Sequence, residues 1–383
     1  SGEGADTTAE VQALVDVEIA EDVALAKISA YAHDSTANPA PEVQDYIDAG
    51  VTGVDAANLA DVNAVVDGVS GVDADTTLEV QALVDSYPLY RGFAINGVDA
   101  SDSSGYSVSS AGDVNGDGLD DLIVGAWEAD PNGMGSAGTS YVVFGRAEGG
   151  SVDLASIEAG TGAGFAINGV DAFDYSGYSV SSAGDVNGDG LDDLIVGAFE
   201  AAPNGADSGT AYVVFGKADG GSVDLAAIEA GTGAGFAING VDASDYSAYS
   251  VSSAGDVNGD GLDDLIIGAP GADPNGTDSG TAYVVFGKAD GGPVELDRIE
   301  TSPFDGFAIN GVDASDQSGY SVSSAGDVNG DGLDDLIVGA YKADPNGAGD
   351  AGTAYVVFGK ADGGSVDLAA IEAGTGAGFA ING

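Results

Sequence analysis

The stretch GDVNGDGLDDLIVGA, Gly112 to Ala126, decides how this chain reads, and nearly the same letters start again at Gly184, Gly255 and Gly326. Each copy joins an acidic, glycine-rich half to an apolar half, and the two halves demand different structures. DLIVGA is short, apolar and β-branched, which predicts a buried strand. DVNGDGLDD places oxygen-bearing side chains at alternate positions of a segment whose glycines permit sharp curvature.

Counted from Asp113, positions 1, 3, 5 and 9 are Asp113, Asn115, Asp117 and Asp121, and the main-chain carbonyl of Leu119 stands at position 7. Alternate residues of a tightly curved loop can point inward together, so the spacing predicts a cage of hard oxygen ligands suited to Ca²⁺. The set contains no imidazole or thiolate, which argues against zinc and copper. It recurs as Asp185, Asn187, Asp189, Leu191 and Asp193, then as Asp256, Asn258, Asp260, Leu262 and Asp264, and again as Asp327, Asn329, Asp331, Leu333 and Asp335. One copy alone also reads as turn chemistry with solvated aspartates. Four copies that lose no ligand position favour structural Ca²⁺, about four ions per chain, because carboxylates this close would otherwise repel one another. The neighbouring Asp120, Asp192, Asp263 and Asp334 fall where a strand begins and face the other way, so they are expected in solvent. An EF-hand loop needs an acidic twelfth residue and a following helix. Position 12 here is Val124, so the loop joins two strands.

Working outward, GFAING begins at Gly92, Gly164, Gly235, Gly306 and Gly378, a period of 71 or 72 residues. Each period holds four predicted strands, GFAING, YSVSSAG, DLIVGA and SYVVFG or AYVVFG, separated by turn signals such as Asn96-Gly97 and Pro131-Asn132-Gly133. Four short strands per repeat favour radially arranged blades. The repeats run 92–163, 164–234, 235–305 and 306–377, and 378–383 is expected to be the first strand of a fifth. Without a partner, that last strand offers an edge for self-association. Residues 1–86 read as a small all-α region and 87–91 as a linker. ADTTAEVQALVD at Ala5 to Asp16 returns as ADTTLEVQALVD at Ala74 to Asp85, with capping boxes at Thr7/Glu10 and Thr76/Glu79. Val11, Leu14 and Val15, and likewise Val80, Leu83 and Val84, form an apolar stripe at helical spacing. Further helices are expected around Ala20 to Ala32, Pro41 to Asp48 and Ala56 to Val66.

GYSVSSAGDVNGDGLDDLIVGAW from Gly105, with its three further copies, resembles the FG-GAP repeat, the blade unit of the integrin α-subunit β-propeller; Gly268-Ala269-Pro270 spells the family's ending. The resemblance implies a mainly β fold of four-stranded antiparallel blades whose loops bind Ca²⁺ on one rim. Integrin-like propellers usually have seven such repeats. Four repeats and one strand leave open a ring continuing beyond Gly383, a different closure, or an open stack. VQDYIDAGVTGVDAANLADVNAVV resembles the short helical repeats of large bacterial surface adhesins. Together the two resemblances imply a segment of a giant secreted or cell-surface protein.

Composition narrows the partners. Eight Lys and Arg against 64 Asp and Glu give a formal charge of −56, which sets nucleic acid and anionic lipid aside as ligands. Cations are favoured instead. There is no cysteine, and no apolar run reaches the ~18 residues of a membrane span, so no membrane insertion is expected. Ca²⁺ at every loop would still leave a charge of about −48, an excess that suits high salt and a marine or halophilic, bacterial or archaeal source. Catalytic signals are missing. The one histidine, His33, stands at a predicted helix end, and Ser136, Ser208 and Ser279 lie in no Gly-x-Ser-x-Gly elbow. GMGSAG at Gly133 and GAGDAG at Gly347 precede strands and open no helix. Trp127, Phe199, Pro270 and Tyr341 share one repeat position and are expected to pack between blades. The reading is a non-enzymatic, Ca²⁺-stabilised extracellular structural or adhesion protein, part of a surface adhesin or a filament-forming subunit. Its alternatives are a propeller module binding an unknown protein or glycan, or a carrier domain attached to an enzyme elsewhere.

Overall fold

The apolar half of each repeated phrase forms a strand, at Asp121–Ala126, Asp193–Ala198, Asp264–Ala269 and Asp335–Ala340. The two middle copies are buried along their whole length, which explains why they read as continuous apolar runs and not as alternating ones. The computed structural model describes residues 22–33, 35–56, 58–67, 74, 76–86, 93–146, 150–299 and 305–383. The expectations for Thr7, Glu10, Val11, Leu14, Val15 and the linker 87–91 lie outside those residues.

Sheet order shows how each blade is assembled. In the first sheet Ser107–Gly112 pairs antiparallel with Asp121–Ala126, which pairs with Thr139–Val143, which pairs with Gly164–Asn168. A two-residue strand, Val223–Asp224, then adds in parallel to Ile167–Asn168. Both outer strands therefore come from the next sequence repeat, and the blades are out of step with the repeats. The same arrangement corrects the reading of the C-terminus. Gly378–Asn382 pairs antiparallel with Thr353–Val357, Gly378 opposite Val357 and Asn382 opposite Thr353, as the fourth strand of the fourth sheet. On that side the strand is paired, where the sequence predicts a strand without a partner.

The path between the third and fourth strands explains the offset. It carries the two-residue strand and then a short helix: Leu154–Glu158, Leu225–Glu229, Leu296–Ile299 or Leu368–Glu372. Asp224 caps its helix by accepting from the Ala226 N–H at 3.0 Å, and Leu225 and Ile228 are buried beneath it. The connection thus stitches one blade to the rim of the preceding one before returning to its own sheet.

The cores lie between blades. Ile123, Val142, Phe165 and Ile167 of the first blade share one buried cluster with Val180, Leu194, Val196 and Tyr212 of the second. Across each seam, a serine on one first strand accepts from a valine N–H on the next: Ser107 from Val180 at 3.0 Å, Ser179 from Val251 at 3.0 Å and Ser250 from Val322 at 3.2 Å. The hydroxyls of Tyr106, Tyr178, Tyr249 and Tyr320 form a hydrogen-bonded row at 3.0, 3.0 and 3.1 Å. Trp127 meets Tyr175 and Tyr178 of the next blade at ring-centroid distances of 4.9 and 5.7 Å, a packing role.

Contact density divides the chain into two units, the β unit being Ile95–Ala147 with Val152–Gly383. In the helical unit, residues 22–33, Val43–Asp48, Leu59–Asp67 and Thr77–Ser86 are helical. Ile28, Tyr46, Val62, Val66, Val80 and Val84 form its core. The Thr76/Glu79 capping box is made, with the Thr76 N–H donating to Glu79 at 3.0 Å and the Glu79 N–H to Thr76 at 3.2 Å. His33 is exposed at the end of its helix. Among the described residues no helix is long and apolar enough to cross a membrane.

One partly buried carboxylate away from the acidic loops carries a pH dependence. Asp174, which accepts from the Asp171 N–H at 3.1 Å, has its pKa raised to about 6, chiefly by burial. The folded chain therefore takes up this proton at higher pH than the unfolded one, and the associated stability is lost as pH rises from about 4 to about 6. Asp174→Asn keeps the acceptor and removes the charge. It is expected to stabilise the chain by roughly 1–2 kcal/mol near pH 8, allowing for solvent screening, with no gain near pH 4. Urea denaturation of both proteins at the two pH values checks this.

Candidate metal loops

The acidic half of the phrase folds back on its own N–H groups. Asp113 accepts from Gly116 at 2.8 Å and Asp117 at 3.1 Å through Oδ1, and from Gly118 at 2.8 Å through Oδ2. Asn115 Oδ1 accepts from the Asp117 N–H at 2.8 Å, and Asp117 Oδ1 from the Leu119 N–H at 2.9 Å. Left-handed backbone at Gly116 and Gly118, φ 76° and 88°, makes this curl. The loops from Asp185, Asp256 and Asp327 repeat the pattern: Gly188, Gly259 and Gly330 donate to the first aspartate at 2.7, 2.7 and 2.6 Å.

Position 9 differs from the others. Asp121, Asp193, Asp264 and Asp335 are fully buried at the start of their strands. Asp193 accepts from Val186 N–H at 3.1 Å and from Gly216 N–H at 2.8 Å, tying the loop to the chain leaving the third strand. Asn187 Nδ2 donates to it at 3.3 Å. Burial, with added repulsion from Asp189 and Asp185, raises its pKa to about 7 despite those N–H bonds; Asp264 is raised to about 7 and Asp121 to about 6, again chiefly by burial. A buried carboxylate repelled by further aspartates of its loop is an anionic position whose charge a cation would relieve.

The structure brings position 3 onto position 9 and curls the loop around position 1. It does not converge the carboxylates: among the described residues no three His, Cys, Asp or Glu side chains stand together closely enough to hold an ion. The observed ordering of the loop is by its own N–H groups.

Of the four residues expected in solvent, Asp120 is exposed, and the other three have a structural role instead. Asp192 Oδ2 accepts from the Asp113 N–H at 2.8 Å, Asp263 from Asp185 at 2.8 Å and Asp334 from Asp256 at 3.0 Å. The bond is answered by the main chain, with Asp192 N–H donating to the Asp113 carbonyl at 3.3 Å. Facing away from position 9 means facing the preceding blade, not water. The loops from Asp113, Asp185 and Asp256 are therefore clasped by the next blade at their first residue. A readable signal was the glycine before each loop: a Cβ on Gly112 would overlap the Asp192 carboxylate.

Comparison with known sequences places this architecture. The profile of the family described as FG-GAP repeat matches residues 104–143, 176–214, 247–285 and 318–357. The chain carries four FG-GAP repeats. Each FG-GAP match spans the first three strands and the acidic loop and stops before GFAIN, in keeping with an outer strand supplied by the following repeat. The chain is 32% identical over 257 residues to integrin alpha pat-2 of Caenorhabditis elegans, covering 63% of this chain and 18% of that protein. It is 30% identical over 244 residues to integrin alpha-V of Gallus gallus, covering 63% and 20%, and 35% identical over 181 residues to integrin alpha-PS2 of Drosophila melanogaster, covering 46% and 11%. It spans a fifth or less of the length of these relatives.

Proposed function

We propose that the chain is a non-enzymatic extracellular structural or adhesion module whose FG-GAP loops each hold one Ca²⁺. Asp113, Asn115, Asp117, the Leu119 carbonyl and Asp121, with their three sets of equivalents, would supply the oxygens. The observation that supports this most is the fully buried Asp193, whose pKa is raised by burial with added repulsion from Asp189 and Asp185, in a ligand set made only of oxygen. Bound there, the ion would supply positive charge to a loop that the neighbouring blade clasps at its first residue. Ca²⁺ in the loop would thereby stabilise the seam between blades as well as the loop. Source in a marine or high-salt bacterium or archaeon, and a protein or glycan as ligand, belong to the same proposal; the charge of −56 supports the first.

Melting the chain in millimolar calcium and in excess EDTA tests the reading. An ion that binds only the folded state at about one hundred times its Kd adds about 2.7 kcal/mol per site, so chelation is expected to lower Tm by ten degrees or more. Equal melting temperatures would overturn it.

A further inference from the structure

Each blade contributes one tyrosine to a row that crosses every internal seam. Tyr106, Tyr178, Tyr249 and Tyr320 hold one repeat position, and each hydroxyl donates to the next at 3.0, 3.0 and 3.1 Å. Successive rings stand 5.0, 5.1 and 4.9 Å apart between centroids, inclined at 40°, 50° and 43°. Rings without hydroxyls would pack at the same distances, so packing alone does not require four phenols.

The row differs from the other tyrosines that recur with the repeat. Tyr141, Tyr212, Tyr283 and Tyr355 are buried inside their blades, and the hydroxyls of Tyr212 and Tyr355 donate to Glu229 and Glu372. Tyr178 and Tyr249, the inner members of the row, are half-buried and have other tyrosines as their hydroxyl partners. Burial holds the Tyr178 hydroxyl protonated well above the usual tyrosine range and pushes that of Tyr249 up to about 12. The row therefore stays a row of phenols, each with its proton on a neighbouring oxygen.

We propose that this row is an oxidative cross-linking site, at which a one-electron oxidant couples tyrosines of neighbouring blades into dityrosine. A phenol that loses an electron releases its proton as well, here to the water that the half-buried row meets, and becomes a neutral phenoxyl radical. Because Tyr178 donates to Tyr249, a radical on Tyr249 takes the hydrogen atom of Tyr178, which moves the radical across the seam without moving charge. A second oxidation puts radicals on two adjacent members. Their ortho carbons join, and the hydrogen on each of those carbons passes through water to the oxygen of its own ring, restoring two phenols. Two tyrosines lose two electrons and two protons in all, and a peroxide or persulfate that accepts the two electrons closes the balance. The product carries its hydroxyls on the carbons beside the new bond, edge to edge as the row already holds them, and a biaryl bond accommodates the observed inclination. With no cysteine in the chain, blades have no disulfide to join them. The proposal goes beyond the calcium reading, since it uses no loop residue and no ion.

Photo-oxidation of the full chain with ruthenium tris-bipyridyl and persulfate, followed by trypsin and mass spectrometry, tests it. Cleavage after Arg146, Lys217, Lys288, Arg298 and Lys342 puts Tyr106, Tyr178, Tyr249 and Tyr320 on four separate peptides. The folded chain is expected to give peptides 147–217 and 218–288 joined through Tyr178 and Tyr249. That yield is expected to fall by roughly tenfold or more in urea, where the two tyrosines are no longer held together. Tyr178→Phe keeps the ring, and is expected to keep the melting temperature, abolish this link and leave the one between Tyr249 and Tyr320. Absence of the joined peptides, a link through Tyr175 or Tyr246 in place of the row, or a yield that Tyr178→Phe leaves unchanged would each overturn the proposal. The link is expected in calcium and equally in chelator below the melting temperature, so this reading and the calcium reading fail separately.

Discussion

Gly268→Ala is expected to destabilise the chain by about 3 kcal/mol or more, and Gly339→Ala by less than about 1 kcal/mol. The two glycines hold the same place in the same strand of successive blades, with neither in left-handed backbone. They differ in what faces them. A Cβ on Gly268 would overlap the carbonyl oxygen of Gly319 in the next blade, and main chain in a packed strand cannot turn aside as a side chain can. A Cβ on Gly339 finds the Ser321 carbonyl at 3.5 Å and the Ser321 Cβ at 3.6 Å, ordinary contact within its own sheet. The difference therefore measures the closeness of the seam and not the intrinsic preference of glycine. Urea denaturation gives both values, and equal losses would contradict the packing described.

Asp193→Ala is the second large effect, about 3–5 kcal/mol without calcium. Truncation leaves the Val186 and Gly216 N–H groups buried without their acceptor, and an orphaned buried donor costs about 1–3 kcal/mol each. Asp193→Asn keeps one acceptor oxygen and is expected to recover about half. Asp189→Ala provides the contrast. That side chain is exposed, with the Leu191 N–H as its donor at 3.0 Å, so its loss is expected to cost under about 1 kcal/mol in chelator. In calcium the cost is expected to grow, because a ligand to the ion goes with it. Chemical denaturation of the three variants with and without calcium separates the hydrogen-bonding role of position 9 from ion binding.

Much of this was legible in the sequence, and the rest was hidden for identifiable reasons. DLIVGA read as a buried strand because both its faces lie in cores, and Asn115 to Asp121 read as a curled loop because Gly116 and Gly118 sit at alternate positions with left-handed backbone. The phase of the blade was not legible. A 71-residue period is the same wherever counting starts, and only pairing shows that Gly164–Asn168 belongs with Thr139–Val143. That phase also makes the last GFAIN the fourth strand of the fourth sheet. The helix at Leu225–Glu229 escaped because five residues are too few for a period; the Asp224 cap followed by Leu225 and Ile228 was its only mark. The clasp by Asp192 is not legible because alternation says which side of a strand a residue faces, not what stands there.

The central claim is that the FG-GAP loops are ion sites that stabilise the blades. Isothermal titration of calcium into the chelator-stripped full chain tests it most directly, at a salt concentration high enough to screen the charge of −56. The account predicts saturation at about four ions per chain, falling by about one in Asp189→Ala. No saturable binding, or a stoichiometry that the variant leaves unchanged, would contradict it.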